Sequence, residues 1–204
     1  MEKRKIFWNT QHTNNIIPTL SGCEYDETID FMKIRELTKP DIKVLEIGVG
    51  MGYVTKGFHD YGCEVNALDI SDVALERVKA ICNSVYSTND LEKLPTNYFD
   101  LILCRNVVQH VATDFLINEL THIMRSLNQD GVLAIQFVSS NQVEDNGLNV
   151  NYDTSELGEY CRTPQYFEKI INNLGGTCEV VLDISCNFTY SKVTGNHVFH
   201  VRKN

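Results

Sequence analysis

Positive charge is what this chain is short of: 18 Lys and Arg stand against 27 Asp and Glu, for a formal net charge of −9. That sign excludes a surface built to grip nucleic acid or an anionic membrane through its overall field, since both are polyanions. No apolar run approaches the roughly 20 residues of a membrane-spanning helix. The charged segment Glu2 to Lys5 is not followed by the apolar stretch of a signal peptide. Seven cysteines, at 23, 63, 82, 104, 161, 178 and 186, include no C-x-x-C pair, and the histidines form no cluster at zinc spacing. They read as reduced, mostly buried thiols, which makes a cytoplasmic, metal-free protein the expectation. Internal repeats and low-complexity segments are also missing, and nothing indicates a homo-oligomer.

What is present is an alternation of two periods. The 204 residues fit one α/β domain able to bury roughly 70% of the surface of its unfolded chain. Lys43–Ile47, Glu64–Ile70, Ser84–Ser87, Phe99–Cys104 and Val132–Val138 are short strand-like runs, and helical stretches at Val54–Tyr61, Val73–Ile81 and Thr113–Leu127 separate them. Such alternation predicts a doubly wound, Rossmann-like parallel sheet flanked by helices. Before it, Asp26–Lys39 reads as an amphipathic helix ended by Pro40, so residues 1–40 form an appended helical cap on a core of 41–204. After it, Ser139 to Arg162 is polar and long enough for a lid or binding loop, with a short helix near Thr154–Tyr160 as the alternative. Thr163-Pro164 opens a helix through Leu174 that Gly175-Gly176 closes. Two final strands, about Cys178–Ile184 and His197–Arg202, are expected to pair antiparallel.

The chemistry concentrates at Val44-Leu45-Glu46-Ile47-Gly48-Val49-Gly50-Met51-Gly52, an apolar strand carrying a carboxylate and running straight into a glycine turn. Glycine admits φ > 0 and close approach of a ligand, and the helix that follows aims its first amides at the same place. A dinucleotide fingerprint G-x-G-x-x-G would need a glycine at position 53, which is Tyr53. The third glycine is Gly52 instead.

This E-x-G-x-G-x-G pattern resembles the first motif of the class I S-adenosylmethionine-dependent methyltransferases, and the segments from Val44 to Arg202 follow that family's seven-stranded order. The resemblance implies a mostly parallel sheet with a C-terminal antiparallel hairpin. It also implies that Glu46, Gly48, Gly50 and Gly52 surround the methionyl carboxylate. Asp69, with Ile70, ends the second strand 21 residues after Gly48, where a carboxylate can take both ribose hydroxyls; capping the next helix is its alternative role, though Ser71 suits that better. Asn89-Asp90-Leu91 resembles the family's adenine segment, with Asn89 in place of the usual glycine, and a plain turn with a surface carboxylate is the alternative. Phe99 to Val111 matches the fourth-strand segment, placing Cys104, Arg105 and Asn106 beside the methionyl group.

For the reaction, His110 is the candidate general base, with packing as the rival role. Trp8, together with Phe7 and His12, then Tyr25, and then Tyr152 with Tyr160, are aromatic candidates for the acceptor pocket, and Arg162 is a candidate for an acidic acceptor. The function implied is transfer of a methyl group from S-adenosyl-L-methionine, leaving S-adenosyl-L-homocysteine, to an O or N nucleophile of a small polar metabolite such as a sugar or an amine. A catalytically silent binding protein of the same fold is the alternative, and a dehydrogenase binding NAD is a third.

Overall fold

The computed structural model describes residues 2–14, 24–139, 150–152, 159–185 and 195–204. Two helices come first, α1 (Glu2–Thr13) and α2 (Tyr25–Phe31). The alternating part follows as β1 (Lys43–Ile47), α3 (Tyr53–Asp60), β2 (Glu64–Asp69), α4 (Asp72–Val78), β3 (Ser84–Ser87), β4 (Phe99–Cys104), α5 (Thr113–Ser126) and β5 (Leu127–Ser139). Then come β6 (Val150–Tyr152), β7 (Glu159–Cys161), α6 (Pro164–Asn173), β8 (Gly176–Ser185) and β9 (Gly195–Lys203).

Seven strands form one sheet in the order β3-β2-β1-β4-β5-β9-β8, parallel from β3 to β5 and antiparallel through β9 and β8. The expected doubly wound, seven-stranded architecture is therefore present. The central strands β1, β4 and β5 are apolar on both faces because helices cover both. Val44, Leu101, Leu103, Val132 and Ala134 pack against α2 and α3, whereas Leu45, Ile102, Leu133, Ile135 and Phe137 pack against α5 and α6. Alternation of side chains along each strand produces this division. At the N-terminal edge of the sheet, Asp100 accepts from the Lys43 backbone N–H at 2.9 Å and from Asn128 Nδ2 at 3.0 Å, a purely structural use of that carboxylate.

Three of the differences from the sequence expectation change how the chain is packed. The helix expected over Asp26–Lys39 stops at Phe31, and Lys33 turns left-handed with φ of 57°. Met32 and Ile34 are both fully buried, and residues two apart point to different sides of a helix; breaking the helix at Lys33 lets both enter the core. Strand β5 begins at Leu127 because a shift in register accommodates residues 128–131 between the Phe99 and Leu101 pairings. In the long polar segment, β6 and β7 pair antiparallel, so Glu159 and Tyr160 lie in a strand where a short helix was the alternative; residues 140–149 and 153–158 lie outside the described residues. The opening of α6 is as expected, with Thr163 Oγ1 accepting from the Tyr166 N–H at 3.2 Å and Pro164 in the first turn. Among the described residues, Cys63, Cys82, Cys104 and Cys178 are free thiols, and no helix is long and apolar enough to cross a membrane.

Tyr25, a candidate for the acceptor pocket, packs instead onto α3, edge-to-face with Phe58 at 5.3 Å and over Gly57. A Cβ on Gly57 would lie 2.2 Å from the Tyr25 ring. Helix propensity alone favours alanine at such a site by about 1 kcal/mol, while overpacking costs about 1–3 kcal/mol. Gly57→Ala is expected to lower the melting temperature; a rise would show that α2 is not seated on α3 in this way.

Candidate active site

The site begins with the turn after β1. The Gly48 N–H donates to the Leu68 carbonyl at 2.8 Å, tying the end of β1 to β2. Gly48 has φ of 77°, and a Cβ there would lie 2.2 Å from Val107 Cγ2, so the turn can approach the segment after β4 only without a side chain. Gly52, at φ of 82°, occupies the N-cap position of α3. The carboxyl ends of β1, β2 and β4 thus diverge around a cavity of about 270 Å³, the usual place for a ligand in an open α/β sheet.

Two carboxyl groups lie under its floor. Asp69 is buried, and its oxygens accept from the Ser71 N–H at 2.8 Å and the Gly50 N–H at 3.4 Å. Burial pushes its carboxyl up to about 6, against the pull of those backbone donors. Ser71 itself caps α4, its Oγ accepting from the Ala74 N–H at 3.2 Å, which leaves Asp69 to line the cavity. Glu46 is also buried and accepts from Thr55 Oγ1 at 2.6 Å. Burial raises it to about 8, with the neighbouring Asp69 adding to the rise. Thr88, just past β3, lines the same cavity and carries a buried hydroxyl without a hydrogen-bond partner among the described residues.

The opposite wall comes from α1, α5 and the turn after β4. Arg4, Trp8 and His12 recur every four residues and so share one face of α1, which they turn into the cavity. Helix α1 is fixed there by Arg77 Nη2 donating to the His12 carbonyl at 2.7 Å, a Ser71–Asn9 hydrogen bond of 2.8 Å and a Lys5–Asp72 ion pair of 2.8 Å. Arg4 donates to the His110 carbonyl and, at 2.8 Å, to the Tyr160 hydroxyl. The His110 ring meets Trp8 edge-on at 5.1 Å between centroids. Burial, reinforced by Arg4, pushes the His110 imidazole down to about 4, and burial followed by Arg77 lowers His12. Both rings are therefore neutral near pH 7. From α5, Phe115 and Glu119 reach the cavity one turn apart.

Of the residues singled out in the sequence, Trp8, Glu46, Gly48, Gly50, Asp69, Ile70, Arg105, Asn106 and His110 line this cavity together. Arg105 is anchored by a hydrogen bond to Thr28 and lies over the Phe31 ring at 4.9 Å; Asn106, at φ of 58°, donates its N–H to Gln136 Oε1 at 2.6 Å. Others stand elsewhere. Asn89 is exposed, Asp90 pairs with Lys93 at 2.7 Å, and Leu91 is a core residue, so the cavity meets Thr88 rather than these three. Cys104 alternates into the core, where burial raises its thiol strongly. Arg162 is 1% exposed and donates to the Val108 carbonyl at 3.1 Å and the Val111 carbonyl at 2.6 Å. It braces the turn that carries His110. Tyr160 touches the site through Arg4, and the Tyr152 side chain lies outside the described residues. Arg4, Thr88, Phe115 and Glu119 were not foreseen, although the spacing of Arg4, Trp8 and His12 was there to be read. Among the described residues, no group of three or more His, Cys, Asp or Glu is placed to hold a metal.

A doubly wound sheet with an acidic, glycine-lined cleft at the carboxyl ends of its first, second and fourth strands defines a nucleoside-binding α/β protein. The "Methyltransferase domain" family matches residues 45–135. An uncharacterized methyltransferase of Staphylococcus carnosus is 30% identical over 158 residues, covering 68% of this chain and 72% of that one. The chain thus belongs to the class I S-adenosylmethionine-dependent methyltransferase family. The mitochondrial ubiquinone biosynthesis O-methyltransferase of Schizosaccharomyces pombe is 24% identical over 150 residues, 68% of this chain and 53% of that protein. The chain therefore spans about half the length of that relative. The structure of Burkholderia thailandensis 1,6-didemethyltoxoflavin-N1-methyltransferase, with 1,6-didemethyltoxoflavin and S-adenosylhomocysteine, superposes with a TM-score of 0.72 at 16% identity, covering 98% of this chain and 88% of that one.

The raised carboxyl of Glu46 makes the pH dependence of stability testable. Unfolded, the group ionises near 4.5; folded, near 8. Its ionisation therefore opposes folding fully above pH 8 and not at all below about pH 4.5. Glu46→Gln is expected to melt at least 4 °C higher than the parent at pH 8.5, more than about 1 kcal/mol for a chain of this size, with the gain vanishing towards pH 4.5. Equal melting curves at both pH values would contradict the burial of an ionising carboxyl.

Proposed function

We propose that the chain moves a methyl group from S-adenosyl-L-methionine to an O or N nucleophile of a small polar metabolite. The observation that carries this reading is the convergence of Asp69, the Gly48–Gly50 turn and the unpartnered Thr88 hydroxyl on one cavity. Those groups suit a nucleoside joined to an amino acid. The Asp69 carboxylate suits the two ribose hydroxyls, Thr88 offers a polar atom to the base, and the glycine turn leaves room for the methionyl end. The cofactor supplies a methyl group on a positively charged sulfur.

The remaining work of the protein is alignment and exclusion of water, worth about 7–11 kcal/mol when reactants are held in a near-attack geometry. Helix α1 serves both ends, because Trp8 and His12 roof the cavity while Arg4 ties α1 to the His110 turn and to β7. A small acceptor fits the short reach of these covering segments, and the net charge of −9 argues against a nucleic acid. The named relatives include both an O- and an N-methyltransferase, which supports either atom class. A cytoplasmic location belongs to the same proposal and is supported by four free thiols.

Calorimetric titration of the purified protein with S-adenosylmethionine, S-adenosylhomocysteine and NAD tests this reading. The first two are expected to bind and NAD is not. Asp69→Ala is expected to weaken both by about 1–3 kcal/mol, roughly 5- to 150-fold. Unchanged affinity would reduce Asp69 to a support for the Ser71 and Gly50 amides, and binding of NAD alone would overturn the proposal.

A further inference from the structure

Three carboxyl groups line the cavity, and two are already engaged: Glu46 by Thr55, Asp69 by the backbone of residues 50 and 71. The third, Glu119, makes no hydrogen bond or ion pair with any described residue. It lies on α5 within electrostatic reach of Arg4 on α1, whose field favours its charge, and of the Cys104 thiol on β4, whose ionisation its charge disfavours. An anionic group without a hydrogen-bond or ion-pair partner among the described residues, in a partly desolvated cleft, is costly, and a bound cation would relieve that cost.

The surroundings favour a cation as well. Phe115, one turn before Glu119 on the same face, is 44% exposed although it is a large apolar ring at the cavity. Trp8 presents a second ring from α1. Aromatic faces beside a carboxylate make a setting for an ammonium group. Of the two arginines that line the cavity, Arg4 already donates to the His110 carbonyl and the Tyr160 hydroxyl, and Arg105 to the Thr28 hydroxyl. An acidic acceptor would face the Glu119 charge.

We propose that the methyl acceptor is an amine, held as its ammonium by Glu119 against Trp8 and Phe115, with Glu119 taking the proton that frees the nitrogen lone pair. The inference rests on the methyl-transfer reading above. The steps balance: the ammonium gives one proton to the carboxylate, leaving a neutral amine and a carboxylic acid. The nitrogen lone pair then forms a bond to the methyl carbon as the carbon–sulfur bond breaks, and its electron pair stays on sulfur, so the positive charge moves from sulfur to nitrogen. Burial sets the Glu119 carboxyl near 7, close to the optimum for a base at neutral pH, whereas His110 near 4 is much the weaker acceptor of a proton. Glu119 is then the base, and His110 packs the wall with Trp8.

The test uses the whole chain with a panel of primary and secondary amines and the matching alcohols and carboxylic acids. Methyl transfer is followed from S-adenosylmethionine, and binding of the same compounds to the S-adenosylhomocysteine complex is followed by calorimetry. The expected result is transfer to at least one amine, with kcat/KM falling at least 100-fold in Glu119→Gln, calorimetric binding of that amine lost, S-adenosylhomocysteine affinity unchanged, and partial rescue by Glu119→Asp. Transfer confined to alcohols or carboxylic acids, no transfer to any compound, or amine turnover unaffected by Glu119→Gln would overturn it. A parent protein that binds neither S-adenosylmethionine nor S-adenosylhomocysteine would instead refute the methyl-transfer reading itself, a failure separable from that of the amine proposal.

Discussion

The approach of the Gly48 turn to Val107, too close for any side chain, is the constraint from which the rest of the site follows. It brings the loop after β1 against the loop after β4, and the hydrogen bond from Gly48 to Leu68 holds both beside the end of β2. Three strand ends are thereby fixed around one cavity, with Asp69 on one side and His110 on the other. A parallel sheet covered on both faces supplies the rigidity, because β1 and β4 have no exposed surface along which to shift. Loops carry the chemistry while the strands set its geometry.

Electrostatically, the site is costly to keep in the folded protein. Three carboxyl groups are pushed above their ordinary range and two imidazoles below theirs, burial being the largest cause in every case. Each shift marks a charge that the folded protein disfavours. Clusters of such shifts are typical of functional clefts, where stability is given up for chemistry. The remainder of the fold offsets the cost with a core that uses both sheet faces. Arg162 shows the other way of keeping a charge inside: the guanidinium is buried among backbone carbonyls and stiffens the His110 turn.

Much of this was legible before the structure. The strand periods, the glycine spacing and the acidic end of β2 located the sheet and one half of the cavity, because those signals are local. The other half depended on tertiary detail. Cys104 and Arg105 are neighbours, yet strand alternation sends one into the core and the other to the cavity. Asp90 lies in the segment that resembles the family's adenine segment but pairs with Lys93, and Thr88 is the residue of this stretch that lines the cavity. Arg162 reads as a candidate for an acidic acceptor until β7 and the turn after β4 are brought together and its guanidinium is seen to be spent on the Val108 and Val111 carbonyls. Glu119 is hidden within an ordinary amphipathic helix, and only its position beside Phe115 and Arg4 gives it a role. The helix expected from Asp26 runs too far because Ile29 with Met32 and Ile34 with Leu37 are each three apart, a helical spacing, while the joint burial of Met32 and Ile34 requires a break.

The central claim is that the glycine turn and Asp69 form a nucleoside site continuous with a pocket under α1. A crystal structure of the S-adenosylhomocysteine complex tests it most directly. The account predicts the ribose hydroxyls within hydrogen-bond distance of the Asp69 carboxylate and the sulfur directed towards the Trp8, His110 and Glu119 wall. A nucleoside bound away from Asp69, or a sulfur directed away from that wall, would contradict it.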